Sequence, residues 1–284
     1  VNVLIVGNGR GSWEMRGRQL GAQLGATVTS APIADDWAEA DVVVLVKRAA
    51  WAYAAHAHAR GIPIVWDALD FWRQPAENGL TAVAARQILA AAIAQIRPAL
   101  VIGATKAMAE AAGGEYLPHH GWAGLEPTEA RIAVTRVGYD GSQQYLDHWR
   151  AALECACRDR GWTFCVNPPD LSTMDILVSL RGGAWDGWIC RQWKSGVKVV
   201  NAMLAGRPVI AQHCAAMEEL WPSGSTVETE AELAAALDFW ADADRRRMVV
   251  ESSRAIAEAY SLRAVAETYR GHLAAVVKAG APCP

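Results

Sequence analysis

A lysine, a serine and a glycine precede a helix-forming run in residues 193–211, WKSGVKVVNAMLAGRPVIA. That order can bind a phosphate. Lys194, Ser195 and the amides near Gly196 fall at a helix start, where free N–H groups and the positive dipole end favour an anion. Lys198, one turn in, reaches the same anion, and Asn201, on that face, can hydrogen-bond a ribose hydroxyl. The same residues equally describe an ordinary amphipathic helix with solvated lysines. Two further strand ends carry related chemistry. VGYDGS, residues 137–142, ends a strand and opens a helix; its glycines let the backbone approach a ligand, and Ser142 can cap. SLRGG, residues 179–183, contributes Arg181. With Arg191, Lys194 and Lys198 it makes a local positive cluster in a chain of net charge −3.

Proton transfer has its own candidates. Asp67 and Asp70 flank Ala68-Leu69 at the carboxyl end of an apolar run, where ligands bind in open α/β sheets. A carboxylate there, with Trp66, Phe71 and Trp72 near, can have a pKa raised enough to take a hydroxyl proton. The alternative is that one of the pair caps the following turn. His119 and His120, in LPHHGW, can serve as base or contact a substrate, and adjacent histidines in a linker also occur as plain hinge residues. GNGRGSWEMRG, residues 7–17, is a glycine-rich loop entering a helix. Gly7, Gly9 and Gly11 do not complete G-x-G-x-x-G, so a dinucleotide cofactor is a weak reading. No Asp-x-Asp motif of the metal-dependent type marks a strand end, so no obligatory metal is expected for donor binding.

These residues need elements to hold them. The chain has 284 residues and 52% hydrophobic content, enough for two domains. Its mild charge gives no global push toward nucleic acid or membrane. Six scattered cysteines form no zinc ladder and are expected as free thiols in a reducing cytoplasm. No apolar run reaches the ~20 residues of a membrane span, and the start shows no basic signal region, so a cytoplasmic protein is expected. Thirteen tryptophans are expected mostly in the core, some lining a sugar or base site. Strands are expected at 1–6, 26–30, 41–46, 62–66, 100–103 and 115–117, with helices at 12–24, 49–60, 81–96 and 106–112 between them. Residues 118–127 break the pattern. Strands at 131–137, 163–166, 176–180 and 208–211 then alternate with helices at 143–160 and 197–205, followed by helices at 230–241 and 243–277, the last interrupted near Tyr260-Ser261. This βαβα order predicts two mostly parallel, doubly wound sheets.

NAMLAGRPVIA resembles the donor-site segment of GT-B glycosyltransferases, a helix with A-x-A-G-x-P-V-[IV]-A following a diphosphate-binding loop. AYSLRAVAETYRGHL, residues 259–273, resembles the C-terminal helices with which such chains cross back to the first domain. Where many retaining members carry Glu-x7-Glu, this chain has Trp193 and Asn201, so that ribose and sugar chemistry does not carry over. IPIVWDALDFWRQP and ALVIGATKAMAEAAGGEYLPHH are similar in order and spacing to the phage DNA β-glucosyltransferases, whose strand-ending aspartate matches Asp67.

The resemblance implies a GT-B α/β fold, two Rossmann-like domains facing each other across a cleft. It divides the chain into an acceptor domain at 1–120, a nucleotide-sugar domain at 121–260 and a returning helix at 261–284. It also implies transfer of a sugar from an NDP-sugar, a UDP-sugar by preference, with no tightly bound cofactor. Donor contacts fall on Gly9, Gly11, Ser12, Gly138, Tyr139, Gly141, Ser142, Arg181, Arg191, Lys194, Ser195, Lys198 and Asn201. The catalytic candidates are Asp67, Asp70 and His119. Acceptor contacts fall on Arg16, Trp72, Arg73 and His120. The acceptor it suggests is a hydroxymethylated pyrimidine in DNA, with Arg10, Arg16, Arg18, Lys47, Arg48 and Arg73 near phosphates and Trp72 stacking on an extruded base. A cell-envelope glycan or small molecule is the other acceptor reading. An NAD-dependent oxidoreductase and a two-lobed binding protein are the other classes; slow donor hydrolysis separates a transferase from a binder.

Overall fold

The computed structural model describes residues 1–9, 11–122, 124–221 and 224–280; Arg10 and Cys283 lie outside them. Short runs of β-branched and aliphatic residues build two sheets. The first contains β1 (Val3–Val6), β2 (Thr27–Thr29), β3 (Val42–Val46), β4 (Ile64–Asp67), β5 (Leu100–Gly103) and β6 (Glu115–Tyr116), in the order β2-β1-β3-β4-β5-β6. The second contains β7 (Arg136–Tyr139), β8 (Thr163–Val166), β9 (Ile176–Ser179), β10 (Val209–Ala211) and β11 (Ser225–Thr226), in the order β11-β10-β9-β7-β8. Every pairing is parallel. Strands covered on both faces must be apolar throughout, and VVVLV of β3 is buried at all five positions.

Helices α1 (Leu20–Leu24), α2 (Ala34–Ala38), α3 (Ala49–Ala59), α4 (Ala82–Ile96) and α5 (Lys106–Ala112) accompany the first sheet. The second half carries α6 (Asp147–Asp159), α7 (Trp188–Trp193), α8 (Val197–Leu204), α9 (Ala215–Leu220), α10 (Glu230–Trp240), α11 (Ala243–Ile256) and α12 (Leu262–Gly280). Thr81 and Thr105 cap α4 and α5, each side chain accepting from an amide three residues on. Two helices cross between the halves. α12 buries Val265, Ala266, Tyr269 and Leu273 against Val3, Ile5 and Val44 of the first sheet. α7 buries Ile189, Cys190 and Trp193 in a first-half core with Trp66, Phe71 and Trp72.

Three local expectations change. Residues 12–24 are one helical stretch, with π-type bonding over Glu14–Gln19 and no capping bond from Ser12. β7 begins at Arg136, where the Asp175 carboxylate takes the Thr135 and Arg136 amides (2.7 and 2.9 Å). Residues 143–160 divide into a 3₁₀ turn, Gln143–Tyr145, and α6. The five described cysteines are free thiols. Among the described residues no helix is long and apolar enough to cross a membrane.

Candidate functional site

The strand order reverses at β1 in the first sheet and at β7 in the second, so the loops at their carboxyl ends border a crevice. The crevice side of the second half is cationic. α8 starts at Gly196, and the helix rule leaves its first amides without backbone acceptors. The Lys198 ammonium, shielded from solvent, has no hydrogen-bond partner among the described residues and sits 3.9 Å from the centre of the Tyr139 ring. Burial, together with Arg181 and Lys194, pulls its pKa well below the ordinary lysine value. Lys194 donates to Asp70 Oδ2 (3.2 Å) and Gln74 Oε1 (3.0 Å) in the first half. Arg181 lies 5.3 Å from the Tyr145 ring, which is within 6 Å of both lysine ammoniums, so one aromatic ring gathers three cations. Gly141 has φ +138, and a Cβ there would fall 2.7 Å from Lys198 Nζ. Only glycine leaves the lysine its place.

Arg191 is otherwise engaged. It pairs with Asp186 (2.7 Å) and Glu228 (2.9 Å) while lining the crevice with Arg181, Lys194 and Ser195, so a phosphate contact by Arg191 competes with two carboxylates. Asn201 is buried and accepts the Trp122 amide through Oδ1 (3.0 Å), fixing the chain crossing to α8, while its Nδ2 has no hydrogen-bond partner among the described residues. Trp193, the other position departing from Glu-x7-Glu, is a core residue of the first half. Ser195 lines the crevice beside Arg181, Lys194 and Gly196. Gly138 is buried against Met174, and Ser142 is exposed, its carbonyl accepting from the Tyr139 hydroxyl (2.9 Å).

Opposite these cations stand two carboxylates in different surroundings. Asp70 adopts a left-handed backbone (φ +48), as does Lys47 (φ +56), and their side chains meet at 3.7 Å. Two such non-glycine residues at adjoining strand ends mark a constrained site. Burial acts to raise the Asp70 pKa, but Lys194, Lys47 and Arg181 together hold it far below the usual range, so it is ionised. Asp67 is wholly buried, its pKa raised by desolvation that Arg16, 3.8 Å away, only partly offsets. Neither Asp67 oxygen has a hydrogen-bond partner among the described residues.

The first-half candidates are more deeply set than expected. Arg16 is fully buried and donates to the Leu117 carbonyl, so it is no surface contact for an acceptor. Trp72 is buried and donates to Asn78 Oδ1 (3.0 Å), which makes it core and not a free stacking face. His120 is buried with Nε2 2.8 Å from Gln19 Oε1, and desolvation lowers its pKa to about 4. His119 is also buried, and burial drives its pKa well down. Both are neutral interior imidazoles and not exposed hinge residues. Arg73 is exposed and paired with Glu77 (3.2 Å). In the glycine-rich loop, Gly7 and Gly17 are needed because the Trp13 ring fills the space a Cβ would take. Gly9 and Gly11 are exposed, and Ser12 is half-buried beside them.

Sequence reasoning missed Tyr145, Gln74 and Asp186. Tyr145 lies in a turn with no motif. Gln74 matters only because Lys194 crosses to it.

No family model matches the chain, and no curated protein sequence does. Solved structures do. The chain aligns with AviGT4, a glycosyltransferase involved in avilamycin A biosynthesis, at 13% identity and a TM-score of 0.58, covering 99% of both chains. With the trehalose-6-phosphate synthase OtsA the values are 11% and 0.57, over 96% of this chain and 99% of the other. A TarM variant from S. aureus, solved with UDP, aligns at 12% and 0.54. The chain spans 55% of that TarM and 58% of the matched GtfA/B chain. These likenesses establish the fold as GT-B.

Proposed function

We propose that the protein transfers a sugar from a nucleoside-diphosphate sugar, a UDP-sugar by preference, to an acceptor hydroxyl. The observation that carries this reading is the shielded, unpartnered Lys198 ammonium beside Arg181 and Lys194 at the start of α8, facing the other half. Desolvated cations without a matching anion are costly, and a bound diphosphate repays that cost. Each charged hydrogen bond to it is worth roughly 1.5–3 kcal/mol.

The reaction breaks the bond between the sugar's anomeric carbon and the diphosphate oxygen and forms one to the acceptor oxygen. The diphosphate leaves with the electron pair, stabilised by the three cations. The acceptor proton goes to a carboxylate, for which Asp70 is placed better than the enclosed Asp67. Lys194 turning from Asp70 to the diphosphate lets the Asp70 pKa rise toward a useful range, which ties proton acceptance to donor binding. Asp67 and His119 then act from beneath, through Arg16 and the crevice floor.

For the acceptor we adopt a hydroxymethylated pyrimidine in DNA, the reading suggested by the first half's resemblance. A second reading, a small-molecule or glycan acceptor, is favoured by the engagement of the expected phosphate contacts in internal pairs. Arg16 is buried, Lys47 pairs with Asp70, and Arg18 pairs with Glu14. A labelled UDP-sugar panel, incubated with hydroxymethylated DNA and with small acceptors and read by mass, tests both. Added hexose mass on the modified base is expected. Transfer to small acceptors alone retires the DNA reading, and no donor turnover, including hydrolysis, retires the transferase.

A further inference from the structure

On the flank of the first half, between α3 and α4, lies a pocket of about 440 Å³, within the ~300–1,000 Å³ range of small-ligand sites. Trp51, Phe71, Ile88 and Ala91 line it, with Arg48 and Gln95 at its rim. Trp51 is 39% exposed, yet its ring is held from three directions. It lies nearly parallel to Phe71 (6.4 Å, 18°) and meets Trp66 edge-on (5.7 Å, 89°). Its indole N–H donates to Gln95 Oε1 (3.0 Å). An exposed aromatic plane fixed in this way is organised in advance to stack on a flat ring. The rim carries one unanswered charge: Arg73 is paired with Glu77, while Arg48 has no carboxylate within 4 Å among the described residues. A flat apolar wall beside a lone guanidinium suits an aromatic ring with an adjoining anion.

The pocket borders the Lys47–Asp70 pair along the chain. Arg48 and Phe71 directly follow Lys47 and Asp70, whose side chains meet at 3.7 Å. An extended acceptor bound at Asp70 is expected to place its next unit toward Arg48 and Phe71. We propose that this pocket stacks an unpaired base of the acceptor strand next to the modified one, with that nucleotide's phosphate on Arg48. The proposal rests on the DNA reading of the acceptor.

The test is tryptophan-fluorescence titration of the full chain with a single-stranded octanucleotide, without donor, across a salt series. Trp51→Ala is expected to weaken binding about 5- to 150-fold, the loss typical of one base–aromatic stack. Arg48→Glu is expected to make the salt dependence shallower by about one unit of slope. UDP affinity should stay unchanged in both variants, and should Trp51→Ala fail to fold, Trp51→Leu and Arg48→Glu carry the test. Wild-type-like oligonucleotide binding by the folded variants overturns the pocket, while continued transfer to DNA keeps the acceptor reading. No oligonucleotide binding and no transfer to DNA overturns both. Binding of a naphthalene sulfonate but not the oligonucleotide also overturns the proposal and assigns the pocket to a small aromatic acid.

Discussion

Lys198 and His120 illustrate opposite uses of burial. A shielded ammonium without a partner is unfavourable in the folded chain, so Lys198→Met is expected to raise the melting temperature while lowering donor affinity. Calorimetric scanning checks this; a lowered melting temperature would mean the lysine stabilises the fold by other contacts. His120 is held neutral, its folded pKa about 4 against an ordinary 6.5. Between those values the unfolded chain binds the extra proton. Stability contributed by the neutral form is therefore complete above pH 6.5 and declines as the pH falls toward 4. Asp67, with a raised pKa, acts in the opposite sense as the pH falls, so the comparison must be with a variant. His120→Asn is expected to flatten the curve by up to ~1.4 kcal/mol per pH unit within that window. Denaturant midpoints at pH 7 and pH 5 measure it, and identical slopes would place the titration elsewhere.

At the scale of elements, apolar runs marked the strands well. Expected ranges 41–46, 62–66 and 100–103 fall within two residues of β3, β4 and β5, since a strand buried on both faces must read as a hydrophobic block. α7 was not legible. Its Ile189, Cys190 and Trp193 stripe is short, and its partner is the other half of the chain. The gathering of cationic residues at the start of α8 was legible, because the lysines lie beside a helix start that the local sequence marks. The partners of Arg191 and Asn201, namely Asp186, Glu228 and the Trp122 amide, were not legible because they come from turns and linkers without a pattern. Gly187 tests how α7 docks. It has φ +139, and a Cβ there would fall 2.2 Å from the Asn78 carbonyl oxygen. Gly187→Ala should cost about 1–3 kcal/mol and speed hydrogen exchange across residues 184–194. Gly183→Ala, at φ +56 with open space, keeps the backbone strain without the collision. Equal exchange in both variants would show that docking does not depend on that close approach.

Across the whole molecule the halves meet closely. Thr105 Oγ1 donates to the Gln192 carbonyl (2.8 Å), the Lys106 amide to Glu219 (2.9 Å), and Asn78 to the Ala184 carbonyl (2.9 Å). Between them lies the cationic crevice, a pocket of about 40 Å³ that shares Asp186, Arg191 and Gln212 with a neighbouring pocket of about 370 Å³. Widening of the crevice around the proposed donor is expected to loosen these contacts. Asn78→Ala combined with Glu219→Ala is expected to enlarge the radius of gyration in solution scattering; an unchanged value would show that other contacts hold the halves together.

Titration calorimetry of UDP and of uridine against the wild type and Lys198→Ala, at one ionic strength, decides whether the cations serve a diphosphate. UDP should bind the wild type more tightly than uridine does, and Lys198→Ala should lose about 10- to 150-fold of UDP affinity with uridine unaffected. Equal affinity of the wild type for UDP and uridine, or full UDP affinity in the variant, would contradict it.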